Sequence, residues 1–582
     1  MNIVLMLAAG AAFSFGEVTV KCPEPGEWKI DLVREVAPDG AEIAKLTLDC
    51  GKESTPPKFA LAAEVPQIEM DYKWTVNCND GHMPANWGGW AESQFARGMP
   101  LYVYYNNRDE STFSLAASEC DHALKNRGGI REEGSLLEVE FSYFQGAEAP
   151  LRHYETAVRF DARRQPFAEA VRAAAKWIET AGGYTPAHVP DAALEPLYSS
   201  WYSFHQNVFD KEVEAECALA AKMGMKTLIV DDGWQTDDTN RGYSFCGDWQ
   251  VSPRRFPDFA AHVKRVQAMG IKYMVWYSVP FVGVKSANYE RFKGKYLKDS
   301  GMGAAVLDPR FPEVRRFLVD TYVKAMKEWG LDGFKLDFID AIGFDGEDPA
   351  VKENYAGRDL KSVPLAVNRL MREVKAALTA INPEVLIEFR QSYVGPGVRQ
   401  CGNMLRVGDC PGNAQRNRVA IANLRLASGE TAVHSDMLEW NFKEEPAKSA
   451  KYIINAMFGV IQYSVMLREA PPEHRAMIEK WIRFSQEHRE TLLKGRLTPH
   501  HPELEYPWIE AEGKDERIIG VYSDSLVIDV PEDGRKLILM NASGRDYVTI
   551  RRGGRIEEVK VASGDFTALP GAVGRRPTPK HF

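Results

Sequence analysis

The 582-residue sequence has no stretch apolar for long enough to cross a membrane as a helix. It has no long basic run of the kind that grips nucleic acid, and its formal net charge of −9 points the same way. No two of its eight cysteines show Cys-x-x-Cys spacing, so a structural zinc site is not expected. The cysteines are scattered from Cys22 to Cys410, and in a chain of this size free thiols are the simple reading. Lys and Arg are missing ahead of the apolar run Ile3–Phe15. That run has the length of a signal peptide's apolar region, but without the positive flank the first sixteen residues read better as a strand. A cytoplasmic location is therefore expected, with export as the alternative if residues 1–16 act as a leader.

What is present is ordinary in bulk, with 45% hydrophobic and 26% charged residues, as in soluble globular proteins. Thirteen Trp and 22 Tyr are generous. They suit a core, and equally stacking on sugar faces. The chain divides into three by pattern. Residues 1–190 hold strand-length runs such as Glu17–Cys22, Ile43–Leu48, Leu101–Tyr105 and Leu136–Tyr143, separated by turn signals. A large antiparallel sandwich is expected there, followed by a linker helix over Pro166–Thr180 with Phe167, Val171, Ala175 and Ile178 on one stripe. The loop Trp87-Gly88-Gly89-Trp90 could reach a neighbouring site, though a packed loop anchored by its two aromatics is the plainer reading. Residues 191–497 alternate strand, loop and helix about eight times, which predicts a (β/α)8 barrel. A doubly wound open sheet is the alternative, and the lack of a Gly-x-Gly-x-x-Gly after its first strand counts against a dinucleotide site. Residues 498–582 return to short strands and predict a small antiparallel β-sandwich, with a hairpin signal at Asp533-Gly534 and a frayed tail from Gly574.

The strand candidates of the middle region are Tyr198–Phe204, Thr227–Trp234, Lys272–Ser278, Gly333–Asp340, Val385–Gln391, Met404–Cys410, Thr431–Met437 and Tyr463–Leu467. Their C-terminal ends, where a barrel of this type carries its active site, gather polar, mostly ionisable, and aromatic residues. These are Trp201, Asp231, Asp232, Trp234, Trp276, Lys335, Asp337, Asp340, Glu388, Arg390, Gln391, Arg406, Asp409, His434 and Asp436. Lys335 and Asp337 sit two apart in a strand and point to the same side. A structural ion pair is the bland reading of these two. A ring of carboxylates with aromatics points instead to glycoside chemistry, in which one carboxylate attacks and another protonates the leaving oxygen. The competing reading, a divalent metal held by oxygen ligands, is disfavoured by an ammonium beside Asp337. The cation of Lys335 favours an ionised Asp337, as a nucleophile needs. The acid should sit where ionisation is disfavoured, and Asp409, on the apolar Val407-Gly408 approach, is the candidate.

Asp231-Asp232-Gly233-Trp234, Gly247-Asp248-Trp249, Phe256-Pro257, Lys335-Leu336-Asp337 and Gly408-Asp409, in this order, resemble the α-galactosidases of glycoside hydrolase family 36, over about half the chain. The resemblance implies an N-terminal β-super-sandwich, a (β/α)8 barrel and a C-terminal β-domain, and a retaining exo-α-glycosidase without metal or cofactor. It implies Asp337 as nucleophile and Asp409 as acid/base. By the same resemblance substrate binding would fall to Asp231, Asp232 and Lys335, with Trp201 and Trp234 as pocket walls; Trp276, Arg390 and Arg406 are added as binding candidates from their place at the strand ends. Its partners would be oligosaccharides or other glycosides, and the family often assembles as homo-oligomers. There are departures. Leu336 replaces an aromatic, Trp276-Tyr277-Ser278-Val279-Pro280 lacks the usual Pro-Glu-Met, and Arg390-Gln391-Ser392-Tyr393-Val394-Gly395-Pro396 replaces a Cys-Ser-x-Gly-Gly-Gly-Arg loop that faces the sugar's 2-substituent. α-Galactoside hydrolysis is the expectation. An α-N-acetylgalactosaminide or another α-glycoside is the alternative substrate, transglycosylation the alternative outcome, and a catalytically weak carbohydrate-binding protein the alternative class. Arg390 and Gln391 would read an unusual substituent or, equally, form a salt bridge holding the strand end.

Overall fold

The computed structural model describes residues 10–77 and 81–572. The expectations for Met1–Ala9, for Cys78 and for the tail from Gly574 lie outside the described residues. The remaining seven cysteines are buried free thiols, and no helix among the described residues is long and apolar enough to cross a membrane.

The β-branched and aromatic alternation of the first region builds two sheets of six and seven strands. Gly10–Phe13 is the outermost strand of one sheet, paired antiparallel to Gly16–Lys21. The long strand Glu42–Ser54 runs between Lys29–Val36 and Leu151–Asp161, both antiparallel. It turns Ala44, Leu46, Leu48 and Cys50 into the sandwich core, as a period of two dictates. The helix Phe167–Ala181 follows, burying Phe167, Val171, Ala175 and Ile178. Trp87 and Trp90 anchor nothing: both are exposed, Trp90 lying beneath Lys125 and Arg127.

Eight parallel strands then form one sheet: β1 (Leu197–Ser199), β2 (Thr227–Val230), β3 (Lys272–Ser278), β4 (Gly333–Asp337), β5 (Leu386–Arg390), β6 (Met404–Arg406), β7 (Ala432–His434) and β8 (Gln462–Tyr463). β8 pairs with β1. The bridges His434 to Val460 and Leu438 to Tyr463 join the other edge, closing the barrel. Several strands are shorter than their apolar runs. β1 stops at Ser199, and Trp201–Phe204 is a helical turn rather than strand. β4 stops at Asp337 because Phe338 takes a left-handed backbone (φ 63°) and Ile339–Ala341 forms a 3-10 turn. Between β3 and β4 the chain adds a three-stranded antiparallel sheet, Phe281–Gly283, Tyr296–Asp299 and Ala304–Leu307.

The C-terminal region folds as a five-stranded and a three-stranded sheet. Asp533-Gly534 turns the chain but makes no hairpin. The strands on either side, Ile528–Asp529 and Lys536–Asn541, lie in different sheets: the first pairs parallel with Tyr547–Arg552, the second parallel with Glu516–Val521 and antiparallel with Asp565–Leu569.

His500 joins the two outer regions. Its Nδ1 lies 3.2 Å from Asp109 Oδ2 and its Nε2 4.0 Å from Glu510, while its ring stacks on Trp508. Burial alone would discharge the imidazole, but Asp109 and Glu510 overcome it and push its pKa up to about 9. A folded value above the unfolded value of about 6.5 means that stabilisation is fully present below about pH 6.5 and is lost as pH rises through about 9. His500→Gln is therefore expected to lower stability by on the order of 2 kcal/mol at pH 6. Melting curves of variant and wild type should converge above pH 9; a constant gap would remove the charge from this account.

Candidate active site

At the C-terminal ends of the barrel strands lies a pocket of about 210 Å³. Nine of the ten residues expected to act there line it. Trp234 does not. Gly233 (φ 116°) turns the chain directly after Asp232, and an added Cβ there would meet the Gln206 backbone at 2.5 Å. The turn sends Trp234 outward into the core, where it is fully buried against Trp249 and Tyr277 and donates its Nε1–H to the Trp276 carbonyl (3.0 Å). Two residues join the lining unannounced by the sequence: Tyr243, from the loop after β2, and Phe338, from the turn after β4. Phe338 had a signal, since it directly follows the strand-end carboxylate; Tyr243 had none.

Register places the floor. Trp276 on β3 is level with Lys335 on β4, and Lys335 with Glu388 on β5. These three share a layer, and the next inward positions along β4 and β5 are Asp337 and Arg390. Lys335 does not lean on Asp337 directly; its Nζ is 2.6 Å from Asp231 Oδ2, both groups being almost fully buried. Burial would strip the ammonium of its proton, and the Asp231 carboxylate keeps it charged. Asp232 accepts from the amides of Gln206 and Gln235, each at 2.6 Å, yet burial pushes its pKa up to about 6.

Asp337 is buried, which by itself would favour the neutral acid. Arg390 above all, then Lys335, with the Trp276 N–H and Arg406, reverse this and hold the carboxyl well below the usual range. Its two oxygens are unequal. Oδ1 accepts from Arg390 Nε (2.6 Å), the Phe338 N–H (2.7 Å) and the Tyr393 hydroxyl (3.4 Å). Oδ2 accepts from Trp276 Nε1 alone among the described residues (3.1 Å). Arg390 thus forms the salt bridge at the strand end, with Asp340 3.6 Å behind it, while still lining the pocket. Gln391 turns away from the pocket: its Nε2 reaches the N-terminal region at Asn77 Oδ1 (3.3 Å) and its Oε1 accepts from the Gly408 N–H.

Asp409 departs from expectation. Its side chain is 58% exposed and sits 2.8 Å from Arg406. Arg406 therefore lowers its pKa, against a smaller opposing effect of burial. The apolar neighbours Val407 and Gly408 do not enclose it, because β6 has ended at Arg406 and the chain leaves the barrel there. Arg406 is itself buried and fixed by Asp436 (2.6 Å), which also accepts from the Tyr202 hydroxyl and the Cys410 N–H.

Each cation lining the pocket is thus matched to a carboxylate: Lys335 to Asp231, Arg390 to Asp337, Arg406 to Asp409 and Asp436. No positive group is left over among the described lining residues for an anionic ligand, while four carboxylates and the tryptophans Trp201 and Trp276 line the pocket, a lining that suits a neutral polyol. The volume fits one sugar ring. A larger groove of about 590 Å³ lies outside the barrel along the helix Pro312–Trp329, and none of the expected site residues lines it.

The Melibiase family model matches residues 195–495. Among curated proteins, the chain is 25% identical over 178 residues to the A type blood α-D-galactosamine galactosaminidase of Flavonifractor plautii, covering 26% of this chain and 15% of that protein. It is 27% identical over 176 residues to the probable α-galactosidase G of Emericella nidulans, covering 28% and 24%. The matched stretches thus span under a quarter of these relatives' lengths. In fold it is similar to a family-36 α-galactosidase of Geobacillus stearothermophilus solved with 1-deoxygalactonojirimycin, with a TM-score of 0.65 at 14% identity, over 95% of this chain and 82% of that one.

Proposed function

Because the chain belongs to the Melibiase family, we propose that it is a retaining exo-α-glycosidase that hydrolyses terminal α-linked galactose. The observation that carries the reading is the unequal pair of carboxylates on one sugar-sized pocket. Asp337 is buried and held ionised, with Oδ2 nearly free of donors. Asp409 is open to solvent at the rim. Oδ2 of Asp337 attacks the anomeric carbon as the bond to the leaving oxygen breaks, and Asp409 gives that oxygen its proton. Water then attacks the same carbon, loses a proton to Asp409, and frees Asp337. Asp409 must be protonated for the first step. Filling the pocket with sugar expels water from its carboxyl and raises its pKa from the lowered resting position. Asp231 and Asp232 accept hydroxyl protons of the sugar, Lys335 holds Asp231 in place, and Trp201 and Trp276 face the ring. The paired cations favour a neutral sugar, and the galactosidase names among the relatives favour galactose.

The test is hydrolysis of aryl α-galactoside, α-N-acetylgalactosaminide, α-glucoside and β-galactoside. Turnover of the α-galactoside, with the α-anomer of the sugar released first, is the expected result. Turnover of another α-glycoside instead keeps the two carboxylates in their roles and reassigns the sugar. Turnover of none would leave a carbohydrate-binding protein, to be sought by titration with the same sugars.

A further inference from the structure

Resting on the retaining reading, we propose that Arg390 is a positioning residue that sets the balance between the two steps, by making Asp337 a better leaving group at some expense of its nucleophilicity. Its guanidinium meets Oδ1 of Asp337 through Nε at 2.6 Å. The group is not free to swing away. Nη1 donates to the Gln391 carbonyl (2.9 Å), Nη2 faces Asp340, and the guanidinium lies over the Phe338 ring. Asp340 is fixed in turn by the Ser392 hydroxyl, and its carbonyl accepts from Arg97 of the N-terminal region.

The consequence follows from where charge resides. In the first step the C1–Oδ2 bond forms, the C1–O bond to the leaving group breaks, and the carboxylate's charge is consumed. In the second step water bonds to C1, its proton goes to Asp409, the C1–Oδ2 electron pair returns to Asp337, and the carboxylate is restored. A charge-assisted hydrogen bond to Oδ1 is strongest when the carboxylate is free. It therefore opposes attack and assists departure. The other charged or titratable groups facing Asp337 remain when Arg390 is changed: Lys335 on its own strand, Arg406 from β6, Asp409, Asp340 and Tyr393 from the loops after β6, β4 and β5, and Tyr243 from the loop after β2.

The experiment compares wild type, Arg390→Gln and Arg390→Lys on an aryl α-galactoside with a good leaving group. For Arg390→Gln we expect kcat to fall about 10- to 100-fold, with KM falling alongside it. A pre-steady-state burst of the phenol should appear, with the sugar's mass found on the peptide that carries Asp337. The acid limb of kcat/KM should move upward, toward ordinary carboxylates. Arg390→Lys keeps the charge, and its limb should stay near wild type. Equal losses in kcat and kcat/KM, with no burst and an unmoved acid limb in both variants, would reduce Arg390 to a structural brace and overturn the proposal. If Arg390→Gln does not fold, a lysine variant without a smaller burst and an intermediate kcat overturns it equally. An inactive wild type would instead defeat the glycosidase reading, and this inference with it.

Discussion

Asp337→Asn is expected to lose activity by several orders of magnitude, because the amide cannot form the covalent intermediate. Stability falls too, since the carboxylate is buried and Arg390 keeps only Asp340, at 3.6 Å, as a counter-charge; breaking a fully buried pair costs about 3–5 kcal/mol, and the second partner places the expected loss below that. Activity must therefore be measured well below the variant's melting point, on protein whose circular dichroism matches wild type. A sharper form of the test uses Asp337→Gly with azide. If Asp337 is the nucleophile, azide enters through the vacated face, and the product is the glycosyl azide of inverted, β configuration. Retained hydrolysis in Asp337→Asn, or an α-azide from Asp337→Gly, would sink the assignment.

Asp409→Gly should behave differently in every respect. Its loss should be about 10²- to 10⁴-fold on substrates with poor leaving groups, the usual contribution of general acid–base catalysis. The loss should be far smaller in the first step on substrates whose leaving group departs without a proton. Azide should rescue turnover here as well, but by attacking the intermediate from the opposite face, giving the α-azide. Stability should hardly move. Asp409 is 58% exposed, and Arg406 keeps Asp436 when it is gone, so the ion pair contributes about 0–1 kcal/mol. A large drop in melting temperature, or a rate loss indifferent to the leaving group, would place the acid elsewhere on the rim.

These two residues also mark how far the sequence could be read. The alternation in Gly333–Asp337 was enough to put Lys335 and Asp337 on one side, because side chains in a strand alternate whatever surrounds them. The repeated exchange of two-residue and helical periods was enough for the barrel. The location of its polar strand ends then followed, since side chains there share one mouth. Partners were not legible. Asp337 meets Arg390, 53 positions away, because β4 and β5 lie side by side with Lys335 level with Glu388. A register between strands is fixed by the whole barrel, not by either run. Lys335, two residues from Asp337 in the chain, spends its contact on Asp231 instead.

The same limit explains Trp201, Trp234 and Asp409. Both tryptophans stand near strand ends, and only the chain's path there separates them. Trp201 faces the pocket from a helical turn, whereas Gly233 turns Trp234 into the core. The apolar pair before Asp409 predicted a carboxyl kept neutral by burial, yet β6 is three residues long and Arg406 stands beside the acid. By itself the sequence determined the alternating elements and the kinds of group that crowd one end of the barrel, because those depend on neighbours along the chain. The tertiary structure decided which oxygen of Asp337 is open, which carboxylate is buried and which cation each one meets. Those depend on register and on loop paths, and hence on contacts between residues far apart in the chain.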